Sequence, residues 1–496
     1  MERDNFHWFE WRVDALNDVD QRWAAAHETN TEALAALEQR VLQDLEWTAH
    51  PILDWMPTHH TADGTPITDV LIVGAGQGGL ALAFALTRER VHNIRVIDSA
   101  PRGQEGAWRT YARMPTLRSP KDYTGPDLGV ASLTYRAWHE AGFGVASWQA
   151  MKLIPTQYWA DYLDWFRDVL NLPVQNEQCL VDVEPHEDYL TAHVQTPGGL
   201  QKLPVRKLVL ASGQDGAGRW WMPETVATLP EQYRAHCAQS IDFVTLRGRD
   251  VVVIGAGASA ADSAVAALQY GARVRMLCRR PELQVVQPYR WLTFAGFLRH
   301  LSDLDDLSRW RFMSRILGLR EGIPPDTYER LMGFDNFALM TGTALESAVA
   351  DVSGVRLTTT AGVLNTDFVI SGTGIDIDFA ARPELRRLAH TVRTWAHAFT
   401  PPSGEENERL GRYAYLGPDQ ELMERVPGEA PYLSRIHDFT FGATMSFGAS
   451  GCSINAMKIA VPKLASALTR GLFREDAALH YQSLMAYEVT MYTPRT

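Results

Sequence analysis

Thr68-Asp69-Val70-Leu71-Ile72-Val73-Gly74-Ala75-Gly76-Gln77-Gly78-Gly79-Leu80 is the stretch whose reading decides the fold. An apolar run leads into a glycine turn, and Leu80 to Arg88 then has helix-forming composition. A strand that is apolar without alternation is a strand covered on both faces. Gly74, Gly76 and Gly79 hold the G-x-G-x-x-G spacing, with Gln77 and Gly78 inside the turn. The first glycine allows the tight turn. The second lets a pyrophosphate approach the backbone, and the third lets helix and strand pack closely. The helix that follows points its free amides and positive dipole end at the phosphates.

The context repeats the signal. A second apolar strand, Asn93 to Ile97, ends in Asp98, 19 positions after Gly79, with Ser99 next. An acid at that place suits a free ribose diol. Arg249-Asp250-Val251-Val252-Val253-Ile254-Gly255-Ala256-Gly257-Ala258-Ser259-Ala260 restates the pattern, with Ala260 where the third glycine would stand. An alanine-rich helix runs on to Tyr270, Gly271 ends it, and the strand Arg273 to Cys278 follows. Here the offset of 19 falls on Arg279, followed by Arg280. A cation fits a ribose 2′-phosphate. The first unit therefore reads as an FAD site and the second as an NADPH site, with a solvated loop pair the alternative for the two arginines.

Two further strands end in small residues: Lys207 to Gly213, and Asp367 to Gly374. They frame the second unit as an insertion in the first, with crossings at Gly213 and Gly374. The expected class is α/β, two Rossmann-like dinucleotide-binding domains with the NADPH domain inserted in the FAD domain. The boundaries expected are 1–66 for a helical N-terminal extension, 67–215 with 366–496 for the FAD domain, and 216–365 for the NADPH domain. The segment Gln287 to Ser347 is rich in Trp, Phe, Leu and Arg and is expected to be helical, building part of a substrate pocket.

In the extension, Leu34, Leu37, Val41 and Leu45 recur at helical spacing, and Trp8, Trp11, Trp23, Trp47 and Trp55 make it aromatic. It reads as a cap on the main body, with a homodimer contact or a lid as the other readings. The loop after Asp98 carries Gly106-Ala107-Trp108 and Leu117-Arg118-Ser119-Pro120-Lys121-Asp122. Long irregular loops of this kind tend to be functional. Trp108 packs in the core or lies against a flat cofactor. Arg118 and Lys121 are solvated, or touch substrate or cofactor. Leu180-Val181-Asp182-Val183 and Leu190 to Val194 read as an antiparallel ribbon. Phe441 to Cys452 is glycine-rich and precedes a helix, Asn455 to Arg470. Its amides suit the negative charge of a reduced flavin, which brings Ser446 and Ser453 into the candidate set.

The chain has 496 residues, enough for two or three domains. A net charge of −12 argues against a nucleic-acid surface. No apolar run is long enough to span a bilayer, and the N-terminus lacks the apolar core of a signal peptide. The four cysteines form no C-x-x-C pair, which argues against a disulfide framework, a zinc site or a redox dithiol and makes the cytoplasm the expected compartment.

The paired fingerprints, the Gly106-x-Trp108 turn and the two crossings resemble a class B flavoprotein monooxygenase. That group holds flavin-containing monooxygenases, Baeyer–Villiger monooxygenases and N-hydroxylases. The resemblance runs from Thr68 to the C-terminal helix. It implies that NADPH reduces FAD, that O2 adds at flavin C4a, and that one oxygen atom of the resulting (hydro)peroxyflavin passes to a small organic substrate. It implies FAD at Gly74, Gly76, Gln77, Gly78, Gly79, Asp98, Ser99, Trp108 and Val181, with Gly374, Ser446 and Ser453 toward the flavin. NADPH falls to Gly255, Gly257, Ala258, Ser259, Ala260, Arg279 and Arg280. Arg279, Lys121 and Asp122 are the catalytic candidates. Arg279 resembles the Baeyer–Villiger arginine, Lys121-Asp122 resembles the N-hydroxylases, and the Leu-Arg-Ser-Pro-Lys loop resembles relatives labelled urate hydroxylases. The family's linker fingerprint is incomplete around Tyr233 and His236, and Ser119-Pro120 stands where Baeyer–Villiger enzymes have an aspartate. The rival classes are a reductase passing electrons to a protein or disulfide and a non-catalytic flavin-binding protein.

Overall fold

The computed structural model describes residues 29–49, 51–123, 125–352 and 354–492. In chain order the strands are β1 (Thr68–Val73), β2 (Ile94–Ile97), β3 (Val174–Gln175), β4 (Cys179–Pro185), β5 (Leu190–Thr196), β6 (Gly199–Leu210), β7 (Gly218–Trp220), β8 (Arg234–His236), β9 (Asp250–Ile254), β10 (Arg273–Cys278), β11 (Phe337–Thr341), β12 (Leu345–Asp351), β13 (Gly354–Thr359), β14 (Gly362–Thr366), β15 (Phe368–Ser371), β16 (Ile375–Ile377) and β17 (Ile436–Asp438). The first sheet runs β3-β2-β1-β6-β5-β4, with β17 also on β6. Its β1, β2, β3, β17 and the second half of β6 pair in parallel; the first half of β6 pairs antiparallel with β5. The parallel half, Val205 to Leu210, is buried throughout, as two covered faces require.

Helices cover this sheet. Gln77–Arg88 packs beside Thr156–Val169 and Ile454–Glu475 over a core that includes Trp159, Tyr162 and Phe166. The helix Thr31–Trp47 buries Val41 and lays Leu34, Leu37 and Leu45 on the same core, which is the packing of a cap. Trp8, Trp11 and Trp23 lie outside the described residues. Among the described residues no helix is long and apolar enough to cross a membrane.

The second sheet, β11-β10-β9-β15-β8, is wholly parallel. It contains a correction. β15 pairs with β9 and β8, so the boundary expected at residue 366 lies after Ser371. The cause is plain: an apolar run ending in small residues has the same composition whichever sheet it enters. The crossings themselves are close to where they were expected. Gly213 and Gly374 both have positive φ, +68° and +83°. The crossing strands β7 and β16 pair antiparallel, and the Trp221 amide donates to the Gly374 carbonyl at 2.8 Å. The segment 287–347 is helical for most of its length, with Pro288–Trp291, Ala295–His300, Asp306–Leu319 and Pro325–Met332. Residues of the first three join the core around Trp395 and Phe447, while Leu331 of the fourth packs beside the helix Ala258–Gln269. The segment therefore reaches across from one sheet unit to the other.

One charge cluster staples the first unit. Arg206, on the buried half of β6, pairs with Asp69 of β1 at 3.1 Å, with Asp476 at 2.9 Å and with Glu475 at 3.0 Å. Lys207 reaches Glu475 at 2.8 Å. Buried charges hold only when paired in this way. Arg206→Met should cost about 3–5 kcal/mol, because Asp69 and Asp476 are left buried without their cation. The double variant with Asp476→Leu should recover part of the loss, read as the urea midpoint of each protein.

Candidate active site

The two glycine turns are built alike. A Cβ at Gly74 would meet the Ala211 carbonyl oxygen at 2.6 Å, and a Cβ at Gly79 would sit 1.9 Å from the Gly74 oxygen. In the second unit a Cβ at Gly255 would meet the Gly372 oxygen at 2.4 Å, and Ala260 fits because Gly372 faces it without a side chain. Gly76 and Gly257 are instead open: the nearest heavy atoms to an added Cβ lie at 3.9 and 3.6 Å, on Gly106 and Glu321. Open space belongs at the position a pyrophosphate approaches.

Gln77–Arg88 after Gly76, Ala258–Gln269 after Gly257, and Ile454–Glu475 after Ser453 are among the helices that start without a side-chain cap. Asn30, Thr134 and Asp305 do cap theirs. The uncapped helices leave first-turn amides available to an anion. Asp98 accepts the Ala75 amide on one oxygen and the Ala100 amide on the other, each at 2.8 Å, and burial holds its carboxyl above the usual carboxylate range despite those bonds. Two amides leave lone pairs on both oxygens for a ribose diol. Asn455 lines the cleft with a buried Oδ1 that has no partner among the described residues. These features fit two dinucleotides.

A single cleft of about 2550 Å³ opens between the units. One small ligand fills about 300–1,000 Å³, so this cleft has room for cofactors and substrate together. Trp108, Lys121, Asp122, Gly255, Gly257, Ala258, Ser259, Ala260, Arg279, Arg280, Gly374 and Ser453 all line it. Gly74, Gly76, Gln77, Gly78, Gly79, Asp98, exposed Ser99 and Val181 do not. The first turn lies behind the loop Gly103–Trp108. Gln77 is buried there, accepting the Trp159 indole N–H at 3.3 Å, and Gly78 is pressed against Gly451. Val181 sits at an irregularity in the β4–β5 pairing. Trp108 packs edge-on to Trp159 and lines the cleft.

Two expectations change. Ser446 is fully buried, and its hydroxyl takes the Trp395 indole N–H and donates to the Ala414 carbonyl, both at 3.0 Å. It is a packing residue, and its polar atom is spent. Lys121 faces the cleft but donates to the Trp148 and Met151 carbonyls at 2.7 Å, with the Trp148 ring 4.6 Å away. It is held in place by backbone, while Asp122 is exposed. His236 packs on Trp220 of the crossing, and burial lowers its imidazole to about 4, so it is neutral there.

The structure gives Arg118 protein partners and brings in Arg320, which the sequence did not mark. Arg118 bonds Asp262 of the second unit's helix and reaches Glu321 at 3.3 Å, tying the loop of one unit to the other. Arg320 follows the helix Asp306–Leu319 at φ 59°, ψ 176°. That region is essentially glycine's and costs another residue on the order of 1–3 kcal/mol. Its guanidinium lies 3.9 Å from where a Cβ of Gly374 would be. Although open to the cleft, it is lowered to about 10 by surrounding protein first and then by Arg409 and Arg280. No sequence signal marks a backbone angle. All four cysteines are free, and burial is the first cause raising Cys179, Cys237 (to about 11) and Cys452 (to about 12). These three are not ready thiolates.

Paired parallel sheets, two open glycine turns and one shared cleft define a flavoprotein oxidoreductase that joins two dinucleotides. The comparisons agree. The family described as pyridine nucleotide-disulphide oxidoreductase matches residues 71–294. A FAD-dependent urate hydroxylase of Xanthomonas campestris pv. campestris is 39% identical over 459 residues, which is 92% of this chain and 96% of that protein. Among solved structures, ornithine hydroxylase of Pseudomonas aeruginosa matches with TM-score 0.63 at 18% identity, over 82% of this chain and all of that one. L-lysine 6-monooxygenase of Pseudomonas syringae matches with TM-score 0.62 at 18% identity, over 81% and 99%. The chain belongs to the same flavoprotein monooxygenase family as the Xanthomonas protein. It is an FAD-dependent oxidoreductase, and the pair expected from its fingerprints, FAD and NADPH, is the pair of its class.

Asp262 supplies a pH test. Burial raises its carboxyl and the Arg118 charge opposes that. A raised carboxyl favours the folded state at low pH and loses that advantage as pH rises through the folded value. Removing Arg118 raises it further. Arg118→Met should therefore lose more stability relative to wild type at pH 8 than at pH 5, read as thermal midpoints.

Proposed function

We propose that this chain hydroxylates a purine, with urate the first substrate to try, by the balance S + O2 + NADPH + H⁺ → SO + NADP⁺ + H2O. FAD, when bound, would supply the redox chemistry, namely acceptance of hydride from NADPH and activation of O2. The chain's own residues bind, orient and exclude water. In this reading the turn at Gly74–Gly79 and Asp98 hold the FAD pyrophosphate and ribose, and Asn455 with the amides that follow Ser453 holds the flavin's polar edge. Gly255–Ala260 holds the NADPH pyrophosphate, and Arg279 and Arg280 its 2′-phosphate. The FAD unit is 67–215 with the residues after Ser371, and the NADPH unit lies between. A reducing cytoplasm, which supplies NADPH, is the compartment this reading requires.

The observation that carries the purine reading is the identity of 39% along 92% of the chain to a urate hydroxylase. The charge of the cleft supports it against the N-hydroxylase alternative. Nine lysines and arginines line the cleft against five carboxylates, in a chain of net charge −12. A cationic amine is repelled by such a wall and an anionic purine is drawn to it. Ornithine and lysine hydroxylases resemble this chain at 18% identity, which bears on fold alone. The disulfide-reductase reading lacks a cysteine pair.

Two measurements follow. NADPH and O2 consumption by the FAD-loaded protein should rise with urate, with a product one oxygen heavier than urate in the mass spectrum. Release of all reducing equivalents as peroxide, with urate unchanged, sinks the reading. The double variant Arg279→Ala, Arg280→Ala should raise the KM for NADPH about 10- to 100-fold. The KM for NADH should stay within about threefold, since NADH has no 2′-phosphate for the two arginines to hold. Equal losses with both donors overturn the phosphate assignment.

A further inference from the structure

We infer that Arg320 and Arg409 form the substrate's anion recess, gripping the negative charge of a planar, ring-bound anion on the flavin side of the cleft. The inference deepens the purine reading and rests on it. Both guanidinium groups line the cleft. Among the described residues neither is held by a carboxylate or a hydrogen bond, whereas the carboxylates nearby are taken. Glu321 is on Arg118, Asp376 on Arg412 and Arg219, Glu408 on Arg412, and Asp326 on Arg330. The two cations are therefore unmatched charge facing a cavity, which an incoming anion satisfies.

They adjoin the phosphate pair, Arg280 donating to the Gly318 and Leu319 carbonyls at 3.3 and 3.5 Å, but differ from it in what they reach. Arg279 and Arg280 follow β10, where the second fingerprint sets the ribose. Arg320 instead reaches Gly374 on the crossing between the units. Arg409 lies on the short helix Glu408–Gly411, near Tyr413, whose fully buried hydroxyl has no partner among the described residues and whose ring packs against Phe441 of the cleft wall. Tyr289, Trp220 and Phe441 line the same wall and offer flat faces to a flat ring. The backbone supplies the second argument. Position 320 holds an arginine at an angle that glycine adopts freely and arginine does not. Such strain persists where the side chain is needed in one place.

The test uses the FAD-loaded protein and two variants, Arg320→Gly and Arg409→Gln. Calorimetric titrations give the Kd of urate, of hypoxanthine as an uncharged purine, and of NADP⁺. Each variant should weaken urate by about 30-fold, with hypoxanthine and NADP⁺ within about threefold. The thermal midpoint of Arg320→Gly should hold or rise, because glycine relieves the backbone, so that its lost binding is not lost folding. Urate binding within threefold of wild type in both variants overturns the recess. So does a loss that falls on NADP⁺, which would assign the two arginines to the dinucleotide phosphates. A wild type that neither binds urate nor consumes NADPH with it removes the purine reading itself, and the recess with it.

Discussion

Position 79 has no room for a side chain, and much of the first unit follows from that. The Gly74 carbonyl lies where a Cβ would be, so helix and strand meet backbone to backbone. That contact aims the helix's free amides at the turn, and it brings Gln77 and Gly78 against Trp159 and Gly451 of the surrounding elements. The second unit meets the same demand differently. Its helix carries a methyl at Ala260, and the neighbouring strand gives way at Gly372. The first unit carries its methyl on that neighbouring strand, at Ala211, and leaves the helix bare. The substitution of alanine for the third glycine is thus compensated by a glycine more than a hundred residues away.

This explains how much of the fold was legible. Glycine spacing, unbroken apolar strands and the residue at the end of the second strand are local signals, and they located both turns, the inserted unit and the helical segment that bridges them. Partner choice is not local. Phe368–Ser371 and Leu208–Leu210 are both short apolar runs followed by small residues, yet one joins the second sheet and the other the first. Only register with Val251–Ile254 decides it, and register is a property of two segments. The same limit applied to Ser446, whose hydroxyl is spent on Trp395 and Ala414, 51 and 32 positions away.

Charge shows the limit most sharply. A net −12 describes the whole surface, while the cleft wall is basic, because its lysines and arginines come from segments spread between Arg118 and Arg412. Sequence reading took the two arginines that stand at a fixed offset from a fingerprint. It passed over Arg320 and Arg409, whose neighbours in the chain say nothing of a ligand. The ion pairs at the wall then set the local balance. Arg118 is neutralised by Asp262 and Glu321 and serves to hold the units together, and Arg412 is neutralised by Glu408 and Asp376. What remains unpaired is a short list of cations, and an enzyme cleft is where unpaired charge has a use.

The cost of that arrangement can be located. Like charges at Arg320, Arg409, Arg280 and Arg279 oppose one another, which lowers the Arg320 guanidinium after the surrounding protein has done so. The backbone at Arg320 adds a second penalty. Both would vanish with glycine at that position and a neutral residue at Arg409, and the fold around them would lose no ion pair. A protein optimised for stability alone would take that change. Keeping both penalties at one point of the cleft, between the crossing strand and the wall of aromatic rings, is consistent with a site tuned for a ligand that cancels the charge when it arrives, so that the free energy withheld from folding is returned on binding.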